Sequence, residues 1–295
     1  MEIIAGVTYS KPQVILLQET GIGTAEYAAR TCYDSFESSE NKYIQSLHKQ
    51  LELGNISVDG EIHQVNNLPH SNLLDDLAWT YFHHSILEHA NLTYLIRGTS
   101  RGVLQEHARH RIQSISVRST RYTLSPVINA FVAEVLTNVS NTYPSDWFIS
   151  TLIAQDLFVT QDYAYNALQT IDLYHRLKWQ FNKLGKDEFM HLAVAKSSLS
   201  ITEEPNGLPQ AIYEYLQAGK RKRNVGDSFK HIINDTWKVD MVVTMNLRAL
   251  KNYLTLRDSG AAYFGIRHLA EAMKQVTPSK YLDLIIKGNT NVKPD

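Results

Sequence analysis

Residues 101–122 read RGVLQEHARHRIQSISVRSTRY and join a predicted helix to a basic loop. This segment contains five arginines and no lysine, with histidines and serines between them. The guanidinium group has a fixed fork of donors that suits bidentate recognition of phosphate and carboxylate groups. Basic stretches are often solvated helix faces, but apolar residues alternate with the charges here. The segment therefore favours an anion-binding pocket.

The elements around this segment follow from local apolar patterns. Short segments with β-branched residues predict strands at 2–7, 14–17 and 91–96. Apolar residues at helical spacing predict helices at 25–33, 40–53, 73–83, 100–111, 146–183, 208–222, 236–257 and 260–275. The polar segment 54–71 predicts a surface insertion. With no internal repeat or linker, the chain is predicted to be a single α+β domain with a small mixed sheet and a large helical portion.

Composition excludes several classes of protein. The chain has 295 residues, of which 43% are apolar, and a net charge of −1 from 29 Lys+Arg and 30 Asp+Glu. These values are ordinary for a globular protein and exclude collagen-like and largely disordered chains. A neutral chain is not expected to coat nucleic acid by bulk charge. The single Cys32 allows no intramolecular disulfide, and no apolar run approaches membrane-spanning length. We therefore expect a cytoplasmic protein without a membrane or nucleic-acid partner.

Two further segments carry polar side chains in unusual patterns. In residues 83–89, HHSILEH, helical spacing would place His84 and Glu88 one turn apart, but no HExxH or cysteine-rich spacing accompanies them, so no metal site is predicted. In residues 246–257, NLRALKNYLTLR, polar groups at Asn246 and Asn252 lie beside apolar neighbours. They indicate either a pocket or an N-cap with an exposed face, and periodicity leaves both open.

The order of these segments resembles that of flavin-dependent thymidylate synthases. RHR at 109–111, with Ser119 after seven further residues, matches the RHR-x7-S signature of that family. The segment 83–89 resembles its H-x-S/T-x-x-E-H segment, and 246–257 is similar to NARSLxNFLxLR. Residues 28–33, AARTCY, resemble its early helix. The four motifs occur in the order expected for the family.

This resemblance implies an enzyme that converts dUMP to dTMP. Methylenetetrahydrofolate supplies the carbon, FAD relays reducing equivalents and NADPH reduces the flavin. The family forms homotetramers in which each active site is built from several subunits, so an oligomeric active site is expected. By resemblance, Arg257 is the catalytic residue at the uracil ring. Ser119 has no evident partnered base, so nucleotide binding is its expected role rather than nucleophilic attack.

The resemblance also assigns binding roles by position. The expected FAD contacts are Ser85 from another subunit and, within the motifs, Arg109, His110, Arg111, Asn246, Arg248 and Asn252. The expected substrate contacts are His83, Arg109, Ser119, Thr120, Arg121, Lys230 and Arg257, with His83 stacked near the flavin and folate rings. No metal ligand is implied.

Several positions depart from the family pattern. Glu106 stands where Gln is usual, Val117 replaces a Glu or Gln, and Lys230 replaces an arginine. The motif AQxEIR is reduced to AYFGIR at 262–267, and the longer chain between the motifs predicts a second insertion near 130–225. Glu106 and Val117 leave open a variant enzyme that methylates or hydroxymethylates a related pyrimidine nucleotide. A third possibility is a nucleotide-binding protein that has lost catalytic activity and keeps the arginine pocket.

Overall fold

The computed structural model describes residues 1–54, 68, 70–138, 141–184 and 230–287. Its strands are β1 (Glu2–Ile4), β2 (Val7–Tyr9), β3 (Gln13–Glu19), β4 (Asn91–Ser100), β5 (Gln113–Val117) and β6 (Lys238–Asn246). Its helices are α1 (Gly23–Tyr33), α2 (Lys42–Glu52), α3 (Asn72–Trp79), α4 (Arg101–His107), α5 (Thr120–Thr123), α6 (Ser125–Asn138), α7 (Asp146–Ala154), α8 (Tyr163–Leu184), α9 (Leu247–Arg257), α10 (Phe264–Val276) and α11 (Ser279–Ile285). Short 3₁₀ segments span Phe36–Ser38, His84–His89 and Lys230–Ile232. The predicted α+β class is confirmed.

The chain divides into two compact units. The helical unit comprises Met1–Lys11, Ser100–Gly102 and Arg118–Val239, and the sheet unit comprises Pro12–Thr99, Val103–Val117 and Asp240–Asp295. In the helical unit, β1 and β2 form an antiparallel pair. Its helices α6, α7 and α8 pack through Phe131, Phe148 and Tyr174, whose ring centroids lie 5.5 to 6.5 Å apart. Such aromatic contacts add to the burial of the rings themselves.

The sheet unit is built on four strands in the order β3-β4-β6-β5. β3 pairs antiparallel with β4, and β5 pairs antiparallel with β6. Along β6 the side chains alternate, and the inward-facing ones are buried: Val239, Met241, Val243 and Met245. Helices α1, α3, α9, α10 and α11 contribute buried apolar side chains to the same core. This core fixes the position of α9, whose other face lines the site described below.

The predicted helix over 236–257 is wrong in its first half, which is strand β6. Apolar residues at positions 239, 241, 242, 243 and 245 fit a helical period as well as a strand period, and only pairing with a neighbouring strand decides between them. The predicted helix over 100–111 ends at His107, and the strand β5 that follows was not predicted.

Other predictions need smaller corrections. The helix predicted over 73–83 ends at Trp79, and Phe82 takes a left-handed backbone conformation with φ of +55° before the 3₁₀ segment. Of the predicted insertion at 54–71, the structure describes Gly54, Leu68, His70 and Ser71. Of the insertion near 130–225, the described part is largely the helices α6, α7 and α8. The helix predicted at 208–222 lies outside the described residues.

Within the described ranges, no helix combines the length and the apolar character that a bilayer span requires.

Candidate functional site

The sheet unit contains an open cavity of about 1010 Å³. Its wall is formed by the connection between α4 and β5, by the exposed face of α9 and by one histidine before β4. The lining residues are His84, Arg109, His110, Arg111, Ile112, Arg248, Ala249, Lys251, Asn252, Thr255, Leu256 and Arg257. The arginine-rich motif and the α9 motif, which are more than a hundred residues apart in sequence, therefore meet at one cavity.

The RHR motif lies on a tight turn at the end of α4. The N–H of Arg109 donates to the carbonyl of Glu106 at 3.3 Å, and the N–H of His110 donates to the carbonyl of His107 at 3.1 Å. The same His107 carbonyl accepts from Nε2 of Gln113 at 2.8 Å. These bonds satisfy carbonyls at the helix end, where no intrahelical partner is left. The turn presents Arg109 and His110 to the cavity instead of continuing the predicted helix.

Helix α9 presents one face to the core and the other to the cavity. Its N-cap is Asn246, whose side-chain oxygen accepts from the N–H of Ala249 at 2.8 Å. The buried residues on this helix are Leu247, Leu250, Tyr253 and Leu254. The opposite face carries Arg248 and Asn252, which lie one turn apart and line the cavity. Both possibilities left open by the sequence are thus found here: Asn246 caps the helix, and Asn252 lies in a pocket.

Arg257 lies at the end of α9 and is held by two residues of the α4 turn. Its Nε donates to Nε2 of His110 at 3.0 Å, and its Nη1 donates to Oε2 of Glu106 at 3.1 Å. The neighbouring Asp258 instead accepts from Nζ of Lys274 at 2.8 Å. The guanidinium of Arg257 is therefore anchored at the cavity wall, and its side chain is only 20% exposed.

The cavity wall is strongly cationic. No carboxylate is among the lining residues of the described chain. Five lining side chains are basic: Arg109, Arg111, Arg248, Lys251 and Arg257. Outside the wall, Glu88 pairs with Arg248 and Glu106 pairs with Arg257. A cavity with this charge attracts an anionic ligand, and arginine forks suit phosphate groups.

His110 is neutral in this environment. Burial, Arg257 and Arg109 together lower the pKa of His110 below its ordinary value. Because Nε2 accepts from Arg257, the ring proton of neutral His110 belongs on Nδ1. Protonation of this ring would place two cations in contact and remove the acceptor.

Two buried residues behind the cavity were not predicted as site residues. His107 is fully buried, and neither ring nitrogen has a hydrogen-bond partner among the described residues. Burial, with smaller contributions from His110 and Arg257 and a small opposing effect of the Gln113 side chain, lowers the pKa of His107 to about 4. The hydroxyl of Tyr253 also has no partner in the described chain, and burial raises its pKa. The sequence signal that could have identified His107 is its position three residues before His110, which is typical of two residues on one helix face.

Lys251 is a further residue that the motifs did not single out. Its Nζ lies 3.1 Å from Nε2 of His84 and 4.2 Å from the centroid of the Trp79 ring. Burial lowers the pKa of Lys251. This amine is thus fixed at the cavity wall by a histidine and an aromatic face.

Some predicted residues of the sheet unit do not line the cavity. His83 and Ser85 are exposed, with His83 just before the 3₁₀ segment and Ser85 within it. The Nδ1 of His83 lies 2.5 Å from the hydroxyl of Tyr33, and the two rings are stacked. Asn246 acts as the helix cap described above. His83 and Ser85 are therefore accessible at the surface of the sheet unit.

Four of the predicted substrate contacts belong to the helical unit: Ser119, Thr120, Arg121 and Lys230. Ser119 precedes α5, and its carbonyl accepts from the hydroxyl of Thr123 at 3.2 Å. Thr120 begins α5 and is buried. The side chains of Arg121 and Lys230 lie outside the described part of the structure. In the described residues of both units, no group of three or more His, Cys, Asp or Glu side chains has a metal-binding arrangement.

Comparison with known proteins identifies relatives along nearly the whole chain. The family model described as "Thymidylate synthase complementing protein" matches residues 15–279. The flavin-dependent thymidylate synthase of Wolinella succinogenes is 29% identical over 268 residues, which are 91% of this chain and 94% of the relative. That of Campylobacter jejuni strain RM1221 is 28% identical over 269 residues, covering 91% and 93%.

Solved structures share the fold. Thymidylate synthase X from Helicobacter pylori, crystallised with FAD and dUMP, matches with a TM-score of 0.53 and 24% identity, covering 93% of this chain and 97% of that one. A second structure of the Helicobacter pylori protein with the same two ligands gives a TM-score of 0.55 at 23% identity, covering 93% and 98%. The family match over residues 15–279 confirms the resemblance found in the motifs, and the chain belongs to the family of flavin-dependent thymidylate synthases.

Proposed function

We propose that this chain converts dUMP to dTMP, with methylenetetrahydrofolate as the carbon donor and NADPH as the reductant. One carbon passes from the folate to C5 of uracil, the C5 proton is released, and NADPH supplies the two electrons that bring this carbon to a methyl group. The observation that carries the proposal is the anchored Arg257 at the wall of a cationic cavity that also contains the RHR motif. We further propose that residues 1–295 form one domain of the family in the cytoplasm, with insertions near 54–71 and 130–225.

The cavity fits FAD by size and charge. Its volume of about 1010 Å³ accommodates a large cofactor, and its arginines suit a pyrophosphate. We propose that Arg109, His110 and Arg111 hold FAD from the α4 turn, and that Arg248 and Asn252 hold it from α9. The capped N-terminus of α9 at Asn246 fixes the position of the last two residues. When bound, FAD supplies the redox chemistry, and the protein supplies binding and orientation.

Arg257 activates the uracil ring in this proposal. C5 of uracil becomes nucleophilic when electron density is pushed into the ring, and negative charge then develops along the N3 and carbonyl edge. A half-buried guanidinium next to this edge stabilises that charge without reorganisation. The bonds to His110 and Glu106 hold Arg257 in place. In this proposal, electrostatic activation by Arg257 replaces activation by a covalent nucleophile of the protein.

The remaining predicted residues are proposed to bind the nucleotide and to complete the site between subunits. Ser119, Thr120, Arg121 and Lys230 offer hydroxyl groups and cations for the dUMP phosphate, although Lys230 lacks the bidentate fork of an arginine. Both His83, which contacts Tyr33, and Ser85 are exposed. We propose that they reach the flavin and folate of a neighbouring subunit in a homotetramer.

The decisive experiment is product analysis with purified protein. We expect a yellow protein with about one flavin per chain, and dTMP from dUMP, methylenetetrahydrofolate and NADPH. Parallel reactions with dCMP and UMP test the variant acceptor suggested by Glu106 and Val117. The pairing of Glu106 with Arg257 neutralises this carboxylate, so it does not repel the phosphate of any of these nucleotides as a free charge. Product only from another nucleotide, or a colourless inactive protein, would contradict the proposal.

Subunit assembly is measured separately by light scattering of the active protein. A homotetramer has a mass of about four times the 33.6 kDa of one chain. An active monomer would exclude an active site shared between subunits.

A further inference from the structure

Glu106 stands at a position where the family usually has Gln, and its side chain contacts Arg257. It lies in the last turn of α4, and its carboxylate accepts from Nη1 of Arg257 at 3.1 Å. The two side chains are 33% and 20% exposed, so the pair is partly shielded from water. Charged pairs that are shielded in this way hold their geometry better than exposed pairs.

The two bonds to Arg257 define the plane of its guanidinium. His110 accepts from Nε and Glu106 accepts from Nη1, and both acceptors belong to the same α4 turn. A guanidinium carries five N–H donors, so about three remain after these two bonds. Among the described residues no partner is recorded for them, and Arg257 lines the cavity. One edge of the guanidinium is thus fixed by the protein, and the other edge is left for a ligand.

The carboxylate of Glu106 itself is not part of the cavity wall. Its contact is to Arg257, so it acts through that residue and not directly on a ligand in the cavity. A single acceptor at Nε would leave the guanidinium free to rotate about its remaining side-chain torsions. The second acceptor at Nη1 removes this freedom before any ligand binds.

We propose that Glu106 is a positioning residue that fixes the guanidinium plane of Arg257 for the pyrimidine ring. This proposal rests on the function proposed above. Misplacing a reacting group by about 1 Å costs on the order of a hundredfold in rate, so loss of the Glu106 contact is expected to lower turnover more than binding.

The test compares Glu106→Ala and Glu106→Gln with the matched control Asp258→Ala. Asp258 is adjacent to Arg257 and is paired in a similar way, but with Lys274. In Glu106→Ala we expect kcat to fall about tenfold to a hundredfold, with flavin content and the KM for dUMP within about twofold of the original protein. Glu106→Gln keeps an oxygen that accepts the same bond, so it is expected to recover most of kcat. Asp258→Ala is expected to keep kcat within about twofold.

Two kinetic results would overturn the proposal. One is a Glu106→Ala protein with normal kcat, and the other is a Glu106→Gln protein as slow as Glu106→Ala. A failure of the proposed function is recognised separately, because the unmodified protein would then make no dTMP.

A readout without turnover tests the same contact. In protein labelled with ¹⁵N-arginine, the resonance of the Arg257 Nη1–H that is donated to Glu106 is assigned by its absence in Arg257→Lys. We expect slow solvent exchange of this proton in the original protein and in Glu106→Gln, and fast exchange in Glu106→Ala. Equal exchange in Glu106→Ala and the original protein would contradict the positioning role, whatever reaction the enzyme catalyses.

Discussion

The imidazole of His107 lies edge to face against the ring of Tyr253, with ring centroids 5.0 Å apart. His110 lies against the same Tyr253 ring at 4.8 Å, and its Nε2 accepts from Arg257. The aromatic ring of Tyr253 therefore supports both histidines of the α4 turn. Because His107 is buried without a hydrogen-bond partner in the described chain, it is a neutral packing residue directly behind the site.

The burial of His107 predicts a loss of stability in acid. Its folded-state pKa of about 4 is below its ordinary value of 6.5, so folding favours the neutral ring. The contribution of neutral His107 to the free energy of unfolding is fully present above pH 6.5 and is lost as the pH falls through the folded-state pKa. For the full shift the loss is about 3 kcal/mol. We expect the free energy of unfolding of His107→Leu not to show this decrease when urea unfolding is compared at neutral pH and near the folded-state pKa.

A surface histidine provides the control for this measurement. His89 is exposed, and His89→Leu is expected to unfold with the same pH dependence as the original protein. At pH 7, His107→Leu is expected to have nearly the same free energy of unfolding as the original protein, since an unpartnered polar group is replaced by an apolar one. If His107→Leu and the original protein lose equal stability in acid, His107 is not responsible.

Arg109→Ala tests the placement of the flavin. Arg109 lies on the α4 turn at the cavity, and its guanidinium suits the pyrophosphate. We expect soluble protein with markedly less flavin per chain, measured by absorbance after gel filtration. Arg176→Ala is the matched control, because this arginine pairs with Asp172 on α8. Full flavin occupancy in Arg109→Ala would count against the placement.

Arg257→Lys and Arg257→Ala test the proposed catalytic residue. Lysine keeps the charge but cannot reproduce the fork that contacts both His110 and Glu106. We expect normal flavin content in Arg257→Lys and a fall in turnover of dUMP of about a hundredfold or more. Single-turnover kinetics separate this effect from substrate binding. Near-normal turnover in both variants would mean that another residue activates the ring.

Asn246 has both a structural contact and a proposed cofactor role, and two substitutions separate them. Asn246→Ala removes the cap of α9, which is expected to lower the free energy of unfolding by about 1 kcal/mol. Asn246→Asp retains an oxygen that accepts from Ala249 and is expected to keep the stability. Denaturant unfolding and flavin titration measure the two effects. Loss of flavin in Asn246→Asp without loss of stability would establish a direct contact with the cofactor.

The sequence predicted much of the site but not its internal contacts. The motifs at 109–111 and 246–257 identified six residues that line the cavity: Arg109, His110, Arg111, Arg248, Asn252 and Arg257. The role of Lys251 and the burial of His107 were not predicted. Both depend on neighbours from other elements, such as Trp79 for Lys251 and Tyr253 for His107. Local periodicity carries no information about such neighbours.

The sequence by itself determined the class of fold, the family and the cationic character of the site, because these follow from residue types and their spacing along the chain. Only the tertiary structure decided that 238–246 is a strand, since pairing with distant strands selects one of two compatible periods. It also decided that Glu106 pairs with Arg257, although 151 positions separate them. Packing of α9 against the sheet brings these two charges together, and a contact of this kind depends on the whole core rather than on any local pattern.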